Sequence, residues 1–308
     1  MAEADGLLPR IGEIRQRGGR QFFTNVYIPV GPQVESLCRR SLVRWSTSES
    51  EACCYEDAGI LRLGIWAESA ESAATILPVL QNSQSRPVIC ELIGSAAQIS
   101  ELEPCFVKHG WYVHNRLKRM VRPDTAPRFP HIESAAKVEC AVRSDVTDLQ
   151  YLMRKNLKPE TSHIPDVDQM LELIDRGEVT VIRDSRQRAT GGGDQGSDRG
   201  TEQGRAVAMA IFQRQGARMW YLFQLVVSSE YRGCHYGKIL IKHTLQGPEQ
   251  ECQEQSSTAV GRNCTLWVEE ANEAAVHLYH KLCFVEDGRR LVVLSSRRIP
   301  NSVEPGPQ

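Results

Sequence analysis

Several features that would place a chain at once are missing from this sequence. No apolar run approaches the roughly 18 to 20 residues that a membrane span requires, the longest such stretch being residues 206–212. There is almost no net charge: 37 Lys and Arg stand against 38 Asp and Glu, a formal balance of −1. Without a broad cationic field, nucleic acid is not expected as the main partner, although a local patch could survive, and with no span-length apolar run a membrane is not expected either. The ten cysteines contain no C-x-x-C pair, and the eight histidines form no H-E-x-x-H, so no metal is expected. The opening Met1-Ala2-Glu3-Ala4-Asp5 is acidic and lacks the basic-then-apolar order of a signal peptide. The expectation is a cytoplasmic chain with reduced thiols. What is present is ordinary globular composition, 41% hydrophobic and 24% charged over 308 residues, enough for about two domains.

Proline marks the division. Pro123, Pro127 and Pro130 cluster with Asp124 and Thr125, a composition that resists helix and central strand alike. This places a linker over residues 123–135, a first domain over 1–122 and a second over 136–300. Within the second, residues 189–204 hold Gly191-Gly192-Gly193, Gly196, Gly200 and Gly204 among polar residues and read as a mobile loop. Around it, strand-like runs at 138–142, 179–183, 206–213, 219–227, 265–269 and 290–294 alternate with helical spacing at 145–156, 166–176, 237–245 and 272–282. Such alternation means an α/β (α+β layered) domain. The first half repeats strand, helix, strand, helix, strand over 61–66, 70–80, 88–93, 99–109 and 111–121. At an offset of 173 residues (279 minus 106), Phe106-Val107-Lys108-His109-Gly110-Trp111 falls on Tyr279-His280-Lys281-Leu282-Cys283-Phe284. An internal duplication accounts for this; two unrelated α/β domains are the alternative.

The chemistry concentrates after the strand ending at Val227. There Arg232-Gly233-Cys234-His235-Tyr236-Gly237-Lys238 forms a glycine-bearing turn that opens a helix. Amides at a helix start lack intrahelical partners and carry positive potential, so they suit a pyrophosphate. An ATP-type P-loop is excluded by spacing, because Gly233 and Gly237 stand too close and Ile239 replaces the magnesium-binding hydroxyl. A dinucleotide G-x-G-x-x-G is absent as well.

Downstream, Leu266-Trp267-Val268-Glu269-Glu270-Ala271-Asn272 leads into Glu273-Ala274-Ala275-Val276-His277-Leu278-Tyr279, followed by Cys283-Phe284. Together the two segments resemble the GNAT superfamily of acyl-coenzyme A-dependent N-acetyltransferases. Its members carry R/Q-x-x-G-x-G/A after a strand and later A-x-x-L-Y-x-x-x-G-F. Arg232 and Gly237 match the first pattern; Ala275, Leu278, Tyr279 and Phe284 match the second, with Asn272 before it. The resemblance covers residues 138–295. Two positions depart from it: His235 replaces the middle glycine of the loop and Cys283 the glycine before Phe284.

The resemblance implies a GNAT-like mixed sheet flanked by helices, in two tandem copies with the first degenerate. It implies acetyl-CoA as acyl donor and direct attack by a primary amine through a tetrahedral intermediate. The pyrophosphate would lie on the amides from Arg232 through Gly233, Cys234, His235, Tyr236 and Gly237 to Lys238. The pantetheine arm would run along Leu225, Val226 and Val227 as an added strand, with the N–H of Val226 or Val227 polarising the carbonyl. Tyr279 would be the general acid. Asn272 would contact the arm or cap its helix; capping alone accounts for it equally well. Glu269 and Glu270 are the candidate bases through water, at most one facing inward, with Tyr221 and Gln224 candidates for substrate contact. The acceptor is a small-molecule amine or a protein amine, and a homodimer is compatible with the sequence. In the first half Glu68-Ser69-Ala70-Glu71-Ser72 offers no glycine and no base, and Phe106 stands where Tyr279 does. A coenzyme A-binding sensor without turnover and a scaffold binding no nucleotide are the competing readings.

Overall fold

The computed structural model describes residues 7–21, 23–26, 41–57, 59–83, 86–127, 129, 136–158, 161–184, 204–215, 219–246 and 263–299. In chain order the first half forms α1 (Leu7–Gly18), β1 (Phe23–Thr24), β2 (Ser41–Ser46), β3 (Ser50–Asp57), β4 (Ile60–Ala67), α2 (Ala70–Ser83), β5 (Val88–Ser95), α3 (Ala96–Lys108) and β6 (Tyr112–Arg122). The second half continues with β7 (Val138–Cys140), α4 (Val146–Asn156), α5 (Val167–Asp175), β8 (Val179–Arg183), β9 (Ala206–Arg214) and β10 (Met219–Val227). It ends with α6 (Tyr236–Gln246), β11 (Asn263–Glu269), α7 (Glu273–Lys281) and β12 (Val285–Ser295). Two compact units result: Met1–Lys118 together with Gly288–Gln308, and Arg119–Asp287.

The first unit is a mixed sheet in the order β2-β3-β4-β5-β12. β2, β3 and β4 are antiparallel neighbours, whereas β4 and β5 are parallel over Leu61↔Val88 and Arg62↔Ile89. The chain's last strand closes this sheet, antiparallel to β5 from Arg289↔Ser95 to Ser295↔Ile89. Val292 and Leu294 thereby join Ile65, Leu77, Leu92, Phe106 and Trp111 in one core. The strand expected at 290–294 is therefore present, but from Gly288 onward the chain belongs to the first unit, whereas the sequence extends the second domain to residue 300. Periodicity specifies that a segment is a strand, not which sheet edge completes it.

The second unit is a three-layer arrangement with the strand order β11-β10-β9-β8-β7. β9 is buried along most of its length, as a central strand covered on both faces must be. On one face α4 and α5 supply Leu149, Met153, Met170 and Leu173, which pack with Val181, Met209, Ile211 and Val226. On the other, α6 and α7 supply Leu240, Ile241 and Tyr279, which pack with Leu222, Leu266, Val268 and Phe284. The helix starts are chemically specified: Asp166 and Gln169 form a reciprocal capping box at α5, the Gln169 N–H donating to Asp166 at 2.8 Å.

Pro123, Pro127 and the buried Phe129 lie in the second unit, not between the two units. The Arg122 guanidinium stacks 4.1 Å from the Phe129 ring centre and donates to the Leu282 carbonyl at 3.0 Å. Pro130 and residues 131–135 lie outside the described residues, as does the glycine-rich 189–204 segment except for Gly204. Among the described residues no helix is long and apolar enough to cross a membrane.

Candidate active site

The site begins where two parallel strands part. β10 and β11 pair from Met219↔Asn263 to Leu222↔Leu266, and beyond that rung both continue, to Val227 and Glu269, without pairing. On its other edge β10 stays paired with β9, and the register slips between Leu222 and Gln224, so Phe223 is the extra residue of a bulge. A bulge bends its strand and sharpens the twist, which is the local cause of the separation. Ser228 N–H donates to the Val207 carbonyl at 2.9 Å. The period-two alternation of an antiparallel ladder then sends the N–H groups of Val226 and Gln224 to β9, and those of Leu225 and Val227 to the open edge. Of the two amides that sequence reasoning left open, Val226 is thus committed to the sheet and Val227 faces the gap.

The turn after β10 leads from that gap to a helix start. Gly233 has φ 83° and His235 φ 62°. His235 therefore adopts the left-handed backbone that a glycine would take at no cost, and its side chain is exposed. The Cys234 N–H reaches the Tyr231 carbonyl at 3.4 Å, and the His235 carbonyl accepts from Ile239 at 3.0 Å. Among the described residues none accepts from the amides of Gly233, His235, Tyr236, Gly237 or Lys238. Nor does Arg232 or Lys238 have an acidic partner there. Five amides without an acceptor among the described residues, a helix dipole and two cations without an acidic partner there suit an anion. Gly237 is buried: a Cβ there would meet Leu225 Cδ2 at 3.4 Å and Leu278 Cδ2 at 3.5 Å, so β10, α6 and α7 converge on it.

α7 explains the second motif in backbone terms. Asn272 is its N-cap, accepting from the Ala275 N–H at 3.1 Å, so its side-chain oxygen serves the helix. At the other end the Phe284 N–H bonds the Tyr279 carbonyl at 3.0 Å and the Cys283 N–H bonds the His280 carbonyl at 2.9 Å. These are the two bonds of a Schellman cap, with Cys283 at its left-handed position, φ 62°. The accompanying hydrophobic contact is Tyr279 on Phe284, ring centres 5.6 Å apart. Tyr279 is 7% exposed, in the same core as Cys264 and Leu266 of β11. Burial holds its phenol well above the ordinary tyrosine range, with Cys264 adding to the shift. The group is a protonated donor at neutral pH, and no hydrogen bond occupies its hydroxyl among the described residues.

Glu269 lies across the sheet from Tyr279. Cys264, Leu266 and Val268 point into the α6–α7 core, so Thr265, Trp267 and Glu269 turn to the opposite face. Glu269 is half-buried and accepts from the Thr161 hydroxyl at 3.1 Å. Glu270 follows the strand end in an exposed turn. Gln224 donates to the His163 carbonyl at 3.0 Å, and the His163 ring lies 5.7 Å from Phe223, itself 6.1 Å from Tyr221. Thr161 and His163, in the connection between α4 and α5, thus join Tyr221, Gln224 and Glu269 at the edge of the gap. Sequence reasoning missed both, since neither sits in a motif and a polar inter-helix connection gives no sign of what it crosses.

Residues 182–284 match the profile of the Acetyltransferase (GNAT) family. No curated protein is a significant match in sequence. Among solved structures, a tandem GNAT protein from the clavulanic acid biosynthesis pathway is 10% identical with a TM-score of 0.59, covering 97% of this chain and 98% of its own. A GCN5-related N-acetyltransferase from Sphaerobacter thermophilus is 13% identical with a TM-score of 0.55, over 96% and 94%. Another, from Kribbella flavida, is 11% identical with a TM-score of 0.52, over 88% and 95%. The parted strands, the uncapped helix start and the Schellman-capped tyrosine therefore belong to a GNAT acetyltransferase-family domain, in a chain with the fold of GNAT proteins.

Proposed function

We propose that the second unit transfers an acetyl group from acetyl-CoA to a primary amine. The observation that carries this reading is the open edge of β10 beyond Leu222↔Leu266, continuous along the chain with the uncommitted amides of Gly233 to Lys238. These residues fit the donor's chemistry. Helix-start amides with Arg232 and Lys238 suit a diphosphate, and the N–H groups of Leu225 and Val227 suit an amide-bearing arm that adds to the sheet as a strand. When bound, acetyl-CoA would supply a thioester carbonyl to an attacking amine, the C–N bond forming as the C–S bond breaks and coenzyme A departing as the thiolate.

The chain's own groups answer each demand of that chemistry. The Val227 N–H, held by its strand and facing the gap, is preorganised to stabilise negative charge on a carbonyl oxygen. Tyr279 holds a proton that its burial keeps in place, and donates it where a thiolate departs. Glu269, on the opposite face with Thr161 orienting one oxygen, receives the proton that an ammonium must lose before it attacks. Tyr221, Phe223 and His163 form an aromatic wall beside Glu269, on which the acceptor rests.

Titration calorimetry of the full chain with acetyl-CoA, followed by a thiol-release assay over small amines, amino acids and lysine peptides, tests the reading. Saturable binding and amine-dependent release of coenzyme A are expected. Absence of heat at millimolar donor refutes it.

A further inference from the structure

The first unit carries the same strand edge as the second, and there the chain itself sits on it. β4 and β5 run parallel only over Leu61↔Val88 and Arg62↔Ile89, and then separate, as β10 and β11 do after Leu222↔Leu266. Each of these parallel pairs is followed along the chain by a helix closed with the same cap. In α3 the Trp111 N–H bonds the Phe106 carbonyl at 3.1 Å and the Gly110 N–H bonds Val107 at 2.9 Å, with Gly110 at φ 80°. Phe106 packs edge-on against Trp111 at 6.0 Å, as Tyr279 does against Phe284.

Correspondence of the two edges follows from the flanking ladders. Glu68 N–H donates to the Glu49 carbonyl at 3.0 Å, so alternation turns the amides of Ile65 and Ala67 away from β3, towards the side β5 has left. These are the counterparts of Leu225 and Val227. In the first unit both are taken. β1 pairs antiparallel with β4 through Phe23↔Ala67 and Thr24↔Trp66. Beyond it, buried Asn25 accepts from the Ile65 N–H at 2.7 Å and donates to the Leu63 carbonyl at 2.7 Å and to Cys90 Sγ at 3.3 Å.

The helix start is closed too. The Ser72 N–H of α2 donates to Ser69 Oγ at 3.1 Å, whereas among the described residues none caps the start of α6 in this way. The end of α1 lies on the same corner. Arg17 pairs with Glu68 and donates to the Ser48 carbonyl at 2.7 Å. A Cβ on Gly18 would fall 2.6 Å from the Glu68 carbonyl oxygen.

We propose that residues 23–26 are a built-in occupant of the edge of β4 that corresponds to the donor edge of β10, which confines donor binding to the second unit. The naming of that edge as a donor edge rests on the function proposed above; the occupancy does not. An antiparallel strand and an asparagine reproduce, within the chain, the hydrogen bonds that the second unit leaves for a ligand. The first unit is then a closed copy whose groove is filled with peptide.

Hydrogen exchange with residue-level fragmentation, on the full chain, separates the two claims. Without ligand, the amides of Ile65 and Ala67 should exchange at least tenfold more slowly than those of Leu225 and Val227. Asn25→Ala should erase that protection at Ile65 while leaving turnover unchanged. Gly18→Ala, which presses on the backbone of Glu68, is the second variant and should speed exchange at Ala67. Added acetyl-CoA should slow exchange at 225–227 and 235–238, leave 61–67 unchanged, and bind at one equivalent. Equal exchange at the two edges in the free chain overturns the occupancy, as does a second equivalent or ligand protection within 61–67. If acetyl-CoA protects neither edge, the donor reading fails, and the contrast in the free chain still decides whether β4 is filled.

Discussion

Cys283 offers a test of whether the α7 cap is a backbone device or a matter of side-chain identity. Its φ of 62° is left-handed. A residue with a Cβ is less stable in that conformation by roughly 1–2 kcal/mol. Glycine avoids this but loses about 0.5–1 kcal/mol through its greater freedom in the unfolded chain. The thiol's own packing complicates a direct comparison, so Cys283→Ala and Cys283→Gly should be compared with each other, both lacking it. The glycine variant is expected to be the more stable by about 1 kcal/mol, which is about 2–4 °C in Tm for a unit of this size. The first unit supplies the mirror experiment. Gly110 occupies the same cap position at φ 80°, so Gly110→Ala should lower stability by a similar amount. Calorimetric or circular-dichroism melts at matched concentration read both. If Cys283→Ala equals or exceeds Cys283→Gly, or Gly110→Ala stabilises, the left-handed cap does not set the energetics.

Three further outcomes follow from the site. Tyr279→Phe should leave acetyl-CoA affinity unchanged and lower kcat by about 10²-fold or more, the scale of a lost general acid; a single-turnover assay gives both numbers, and unchanged kcat removes the role. Glu269→Gln should lower kcat/KM at pH 7 by about tenfold or more. The deficit should shrink as the pH rises towards and past 10, where a growing fraction of an alkyl amine is deprotonated, and a pH-independent deficit would point to structural damage instead. In a spectrophotometric titration, half-buried Tyr55 and buried Tyr279 should not ionise while the fold survives. Tyr231, whose phenol the Asp184 carboxylate beside it pushes up to about 12, should ionise only as the pH approaches 12. Because its folded value is raised, whatever stability that pair contributes is present below pH 10 and is lost as the pH rises through 12.

Much of the site was legible because its parts are local. A glycine-bearing turn after an apolar strand announces an uncapped helix start, and the loop Arg232 to Lys238 is where the free amides are. Asn272 before an amphipathic helix left a cap and a contact with the arm both open in the sequence, and the structure makes it a cap. The Y-x-x-x-G-F spacing encodes the two Schellman bonds and the ring contact that goes with them, which is why cysteine at 283 still takes up a glycine's conformation. The choice between Val226 and Val227 was not legible. It depends on the parity of the β9–β10 ladder around the Phe223 bulge, and an extra residue in one strand has no signature within that strand.

Sequence alone determined the strands and helices from β4 to β6 and through the second unit, the helix start opening near Gly237 and the residues that depart from the glycine pattern, since each rests on the chemistry of neighbours along the chain, whereas α1, β1, β2 and β3 were not read from it. Tertiary structure alone decided that the final strand completes the first unit's sheet, that Thr161 and His163 reach Glu269 and Gln224, and that Asn25 binds the edge of β4. Those pairings join residues far apart in the chain. Backbone donors and acceptors are the same at every position, so only the packed fold selects which of them meet.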